Sequence, residues 1–449
     1  MKCYGILMSF LAVAIALSGI ADAATPASVP GPAGTWQGVL KTPDRSVRRL
    51  LEIRCMAKRA CRAIIYSIDE TDVPIDVKSV AIQNRSVRLE IDMNSPEWGQ
   101  FRRTYSAALS LDGNHLRGTW SAPGGPALPL NFDRIAPNKV WPHPAPATRF
   151  VTVAPGVKLE TLDWGGNGRP VVLLAGLGNS GHIFYHFAQQ LRAHYHVYAI
   201  SRRGYGRSTT PPPTTENYGA AVLGSDVDTV IHALSLQRPV LIGHSIAGQE
   251  LTDVAMTHPH DIAGVVYLDA GYGYAAYDST RGDLSVDSAV VIRKLSQAAL
   301  ADPEREKQLV DELLTTDLPH LQQVLQHTQE QFKAVPTPAP GAQQPLPPPE
   351  AAGTAIINGL QRYSAPIPVP ALAIFASPHA PLDMYSDQKA NAATNDEFQA
   401  ETLEQIETFK RINPSAKVIE IPHANHYVFL SNEADVLAAV QAFINTLPH

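Results

Sequence analysis

Six short apolar runs recur along the larger, C-terminal part of this 449-residue chain, with segments of helical spacing between them. They are "PVVLLAG", "HVYAIS", "PVLIGH", "AGVVYLDA", "VPALAIFA" and "AKVIEIPH". Each is rich in β-branched residues and apolar at successive positions, so a strand built from it has two faces to bury. Strands of that kind, separated by helices, form a doubly wound, mostly parallel sheet covered on both sides, an α/β architecture. The last helical segment, "EADVLAAVQAFINTL", places Val436, Val440, Phe443 and Leu447 at helical spacing and is expected to close the chain against the sheet.

One segment breaks the alternation. Between "VVYLDAG" and "VPALAIFA" the residues from about 272 to 366 carry helical stretches near 286–300, 304–316 and 318–333. Inserted there, they are expected to sit above the carboxyl ends of the strands as a helical cap. The proline-rich piece "VPTPAPGAQQPLPPPE" suits neither helix nor central strand and reads as a mobile loop.

The first part of the chain is written differently. From Trp36 to about Arg134, runs such as "RRLLEIRC", "CRAIIYSI", "SVRLEIDM" and "HLRGTWS" alternate apolar with polar residues, the period of a half-buried strand. About eight such strands predict a small antiparallel all-β domain over 34–135, a barrel or a sandwich. Residues 136–149 are proline-rich and read as a stiff linker, which leaves 150–449 to the α/β domain.

Lys2, an apolar stretch over residues 4 to 20 and the small residues of "ADAAT" read as a secretory signal peptide, 1–23, cleaved after Ala23. The mature chain is then expected to be secreted or periplasmic, without stable membrane insertion. Of three cysteines, Cys3 falls in that leader, and Cys55 and Cys61 lie between two strand-like runs. In an oxidising compartment they are expected to pair as a disulfide. A formal charge of −6 gives no electrostatic reason to expect nucleic acid or an anionic membrane as partner.

The chemistry concentrates in "PVLIGHSIAGQEL". Ser245 falls where an apolar strand meets a helical pattern, and ligands of open parallel sheets bind outside the carboxyl ends of the strands. A sharp turn forces strained backbone angles on its central residue, so small residues are needed two before and two after. Gly243 and Ala247 meet that need, with Gly248 just beyond. The helix N-terminus beneath Ser245 favours negative charge there.

This Gly-x-Ser-x-Ala turn resembles the nucleophile elbow of the α/β-hydrolase superfamily, with alanine in place of the second glycine. The likeness runs from about residue 157 to the end and includes "SRRGYGRS", 201–208. It implies a serine hydrolase of carboxylesterase type that forms an acyl-enzyme on Ser245 and needs no cofactor or metal. The family's small-Asn-His-aromatic pattern matches Ala424-Asn425-His426-Tyr427, so His426 is the implied base and His423 the decoy three residues earlier. The implied oxyanion donors are the N–H groups of Ile246 and of Leu177, in "AGLGNSGHIF".

For the acid there are two places. Many members carry it shortly after the strand matching "VPALAIFA", where this chain has His379 and, four residues on, Asp383. The other place, after "VVYLDAG", holds Asp269, which is favoured because a strand end is better fixed than a loop. Tyr272, Tyr274 and Tyr277 follow it closely and either line the pocket or pack the root of the cap. "LSLDGNHLRGTW" and "GTWQGVL" resemble a small β-domain that precedes some exported hydrolases. A serine at the elbow argues against the family's dehalogenases and epoxide hydrolases, which use aspartate there. A small-molecule ester is the expected substrate; amidase, peptidase or lactonase activity, or a non-catalytic binding role on the same scaffold, are the alternatives.

Overall fold

The computed structural model describes residues 30–41, 46–55, 61–67, 75–95, 99–135, 146–333, 351–381 and 388–448. The expected signal peptide, the proline-rich loop of the cap and Asp383 lie outside these residues, as does most of the expected linker.

The N-terminal domain is one antiparallel sheet of nine strands, β1 (Gly34–Lys41), β2 (Ser46–Cys55), β3 (Cys61–Ser67), β4 (Ile75–Asp76), β5 (Ser79–Gln83), β6 (Ser86–Ser95), β7 (Gly99–Leu109), β8 (His115–Ser121) and β9 (Ala127–Ile135). Their order is β4-β3-β2-β1-β9-β8-β7-β6-β5. The sheet curls on itself, because Val77 N–H donates to Ala63 O of β3 and Lys78 N–H to Glu90 O of β6. One strand face supplies the interior, with Trp36, Leu51, Ile65, Leu89, Tyr105 and Phe132 all buried. Cys55 and Cys61 face each other across β2 and β3 and are joined by a disulfide.

The second domain is built on an eight-stranded sheet of order β10-β11-β13-β12-β14-β15-β16-β17. Its strands are β10 (Ala147–Ala154), β11 (Val157–Gly165), β12 (Pro170–Leu174), β13 (His196–Ile200), β14 (Val240–His244), β15 (Gly264–Leu268), β16 (Ala371–Ala376) and β17 (Lys417–Ile421). β10 and β11 form an antiparallel hairpin and β11 joins β13 antiparallel; the other neighbours are parallel. β10 starts three residues before the boundary at 150 expected from the prolines. Past Pro146 every residue has an N–H to give, and Ala147 already pairs with Asp163.

The continuous apolar runs have the expected cause. Val171, Leu173, Val240, Ile242, Val266 and Leu268 enter the core on one face, and Val172, Leu174, Leu241, Val265 and Tyr267 enter the core on the other. The helix Glu433–Ile444 buries Val436, Val440 and Phe443 against the first face, with Leu447 following in the turn beyond it. The cap contains helices Leu284–Ala298, Pro303–Glu312, Leu318–Phe332 and Ala351–Asn358. The second is shorter than expected: its last turn is a separate π-helical stretch, Leu313–Asp317, leading straight into the third. The fourth lies within the insertion but was not among the expected helical stretches. Among the described residues no helix is long and apolar enough to cross a membrane.

Candidate active site

β14 ends at His244, and the chain turns through Ser245 at φ 53° into the helix Gly248–Thr257. A non-glycine residue in that left-handed region is strained, and such strain persists only where the surroundings enforce it. Here they do. A Cβ on Gly248 would stand 2.0 Å from the carbonyl oxygen of Ala270, so the helix start and the segment after β15 touch backbone to backbone. On the other side, Gly176 lies so close that an added Cβ would be 3.2 Å from Ser245 Cβ. The loop after β12 is thereby laid against the elbow, and Leu177 is its next residue.

Arg202, at the end of β13, fixes that loop from below. Its guanidinium donates to Ala175 O at 2.8 Å and to the buried Glu250 carboxylate on the elbow helix. Burial raises the pKa of Glu250, and Arg202 offsets the rise. Neither residue stood out in the sequence, although Arg202 lies within "SRRGYGRS".

His426 follows β17, and its Nε2 is 2.8 Å from Ser245 Oγ. Its Nδ1 is 2.8 Å from Asp269 Oδ2. His244 Nε2 donates to the backbone carbonyl of His426 at 2.9 Å, tying the histidine loop to the strand that carries the serine. Tyr427 adds a second tie, donating to Asn179 Oδ1 at 3.1 Å in the loop after β12. His423 is exposed on the same loop, with φ 60°, and takes no part in this chain of contacts.

Asp269 sits immediately past β15, fully buried, with φ 47°. Its Oδ1 accepts from Ala376 N–H at 2.9 Å and from the Tyr272 hydroxyl at 2.8 Å. Asp269, one of the two aspartates weighed from the sequence, meets His426; Asp383 is outside the described residues. His379 occupies the other place, with Nε2 3.4 Å from Asp269 Oδ2.

The three tyrosines divide between the two roles open to them. Tyr272 bonds the carboxylate. Tyr274 faces Ser245: burial raises its pKa well above the ordinary value, Asp269 adds to the rise, and a hydrogen bond with Ser245 opposes it. Tyr277 packs the root of the cap and donates to the buried Asp287 at 2.6 Å. Above the elbow, Ile246 is buried in an apolar cluster with Tyr205, Val286, Ala289, Ala352 and Ile356, and Leu177 and Tyr274 pack on it. The cap thus reaches the side chains that flank Ser245 and supplies an apolar wall there.

Among the described residues one group, Asp228, His232 and Asp261, brings possible metal-ligand atoms within 4.8 Å of one another. It lies past the far end of the elbow helix. The Asp228 backbone carbonyl and carboxylate, with Asp261, raise the pKa of His232. Two further histidines are tied to carboxylates: His196 in β13 is 2.8 Å from Asp163, and His258 is beside Asp228 and Asp261.

Parts of the chain are similar to several known proteins. The bifunctional epoxide hydrolase 2 of Rattus norvegicus is 31% identical over 121 residues, covering 27% of this chain and 22% of that protein. A putative non-heme haloperoxidase of Mycobacterium phage D29 is 29% identical over 137 residues, 30% of this chain and 48% of its own. A fluoroacetate dehalogenase of a Burkholderia species is 29% identical over 116 residues, 25% and 38% of the two chains. The chain therefore spans less than half the length of each of these curated relatives. Among solved structures, an esterase from Exiguobacterium antarcticum superposes with a TM-score of 0.44 at 16% identity, over 67% of this chain and 100% of that one. The model of the alpha/beta hydrolase family matches residues 171–440, the span that carries β12 to β17, the elbow and both partners of His426, and the chain belongs to that family.

Proposed function

We propose that this chain is an exported serine hydrolase that cleaves small or medium carboxylic esters through an acyl-enzyme on Ser245. One observation carries the reading: a continuous line of contacts from Ser245 Oγ to His426 Nε2 and from His426 Nδ1 to Asp269 Oδ2, each 2.8 Å. Ser245 Oγ attacks the ester carbonyl carbon while His426 Nε2 takes its proton, and Asp269 holds the opposite Nδ1–H. The carbonyl oxygen becomes an oxyanion facing the N–H groups of Leu177 and Ile246, where each donor contributes about 3 kcal/mol. Collapse expels the alcohol, which takes the proton from His426. Water then gives a proton to the same nitrogen and attacks the acyl carbon; as the C–O bond to Ser245 breaks, His426 returns that proton to Oγ, which frees the acid and restores Ser245.

The nature of the nucleophile favours acyl transfer over the chemistries named for several relatives. A serine that opened an epoxide or displaced a halide would be left as an alkyl ether, with no carbonyl for water to attack. An acyl-serine has one. Export is part of the proposal, supported by the leader-like N-terminus and by the Cys55–Cys61 disulfide. The apolar wall supplied by the cap supports a bounded acyl pocket.

A panel of p-nitrophenyl esters graded in acyl length tests this. Hydrolysis of short and medium esters is expected, with kcat/KM reduced about 10⁴-fold or more in Ser245→Ala. No hydrolysis across the panel, or full activity in Ser245→Ala, overturns it. Anilides and lactones in the same panel separate ester cleavage from amidase and lactonase activity on the same groups.

A further inference from the structure

His379 is a buried titratable group beside the site that the proposed reaction does not use. Its side chain is 5% exposed, and its ring stands edge-on to Phe398 at 4.8 Å between centroids. Its backbone N–H donates to Gln399 Oε1 at 3.0 Å. The turn that carries it is bound to the loop of His426, through His423 N–H to Pro378 O and Ala380 N–H to Ala424 O, both 2.8 Å. The ring is therefore pinned on two sides. Nε2 is enclosed, has no hydrogen bond among the described residues, and lies 3.4 Å from Asp269 Oδ2.

That oxygen is the one that accepts from His426 Nδ1. The other carboxylate oxygen already holds Ala376 N–H and the Tyr272 hydroxyl. An ionised carboxylate has about four lone-pair sites, so with His379 the set of donors around Asp269 is complete. A bare lone pair on Nε2 would face the negative charge of Asp269; a proton there is attracted to it, which selects the Nε2–H tautomer. Burial lowers the His379 pKa, Asp269 opposes the fall and His426 adds to it. Among the described residues Asp269 and His426 are the ionisable groups acting on it.

We propose that His379 is a positioning residue of this site: its Nε2–H is the fourth donor to Asp269 and weakens the pull of that carboxylate on the His426 proton. The proposal rests on reading Ser245, His426 and Asp269 as one catalytic unit. At 3.4 Å the contact is mainly electrostatic.

Two measurements on the full chain test it: the pH profile of kcat/KM for p-nitrophenyl acetate, and the ring titration of His426 by NMR of ¹⁵N-histidine-labelled protein. His379→Leu and His379→Met both remove the donor, so the test survives if one of them fails to fold. Either is expected to raise the His426 pKa, and with it the acid limb, by about half a unit to one unit. His379→Gln, which returns an N–H near the Nε2 position, is expected to bring both back toward wild type. A His426 titration unchanged by losing the donor, or shifted equally in the glutamine variant, overturns the proposal. If wild-type protein hydrolyses no ester, the catalytic reading fails alone, and the NMR titration still decides whether His379 acts on Asp269 and His426.

Discussion

Ser245 and Asp269 both hold a left-handed backbone, at φ 53° and 47°, a conformation that costs about 1–3 kcal/mol for a residue with a side chain. Each lies just past the carboxyl end of a parallel strand, so the strain is imposed by the sheet and the helix or loop packed on it. The reward is aim: both side chains meet one imidazole. Asp269→Asn is expected to reduce kcat about 10⁴-fold, because an amide cannot hold the Nδ1–H tautomer of His426. Asp383→Asn is expected to leave kcat near wild type, and comparing the two variants on one ester checks the assignment. The serine and the histidine were legible because small neighbours and an Asn-His-aromatic pattern mark them locally. The acid was legible only as a choice, since two loops far apart in sequence converge on His426. The second histidine beside Asp269 carries no local mark, because His379 reaches it only when β15 and β16 lie side by side; Tyr272, three residues past Asp269, was visible in the sequence but with its role open.

At the scale of elements, the loop 201–208 is anchored by one buried carboxylate. Glu160, on β11, accepts from Ser201 Oγ at 2.9 Å and from Arg207 Nε at 2.5 Å, and lies 3.3 Å from His182 Nε2. Burial pushes its pKa up, but the His182 and Arg207 contacts outweigh that and hold it at about 2. The folded value lies below the ordinary 4.5, so this stabilisation is fully present above pH 4.5 and is lost as pH falls toward 2. Glu160→Gln is expected to cost about 3 kcal/mol near neutral pH and to flatten the dependence below pH 4.5, read as urea midpoints across pH. The cap has a comparable anchor. Arg362 donates to Asp287 at 2.6 Å and to Asp317 at 3.0 Å, and both carboxylates are buried. Arg362→Met leaves them short of a cation and is expected to speed amide exchange in 284–332, while β12 to β15 keep their protection. The cap's helices were visible in the sequence through their spacing. Its anchors were not, because Asp287, Asp317 and Arg362 look like ordinary surface charges until the helices pack.

Across the whole molecule, the two kinds of sequence patterning translate into two kinds of sheet. Alternation over 34–135 gives an antiparallel sheet with one buried face; continuous apolar runs after residue 170 give parallel strands buried on both. The count of N-terminal strands was less legible, since short strands such as β4 carry too few residues to show a period. Replacing Cys55 and Cys61 together by serine is expected to lower the stability of the N-terminal sheet by about 2 kcal/mol, with ester hydrolysis unchanged, checked by unfolding and activity on the same sample. Ser245 is proposed as the nucleophile of an acyl-enzyme. This is tested most directly by treating the full-length protein with a fluorophosphonate probe and locating the adduct by peptide mass spectrometry. One adduct is expected, on Ser245, absent in Ser245→Ala and greatly slowed in His426→Ala. A wild-type protein that takes no label, or takes it at another residue with Ser245 unmodified, would contradict it.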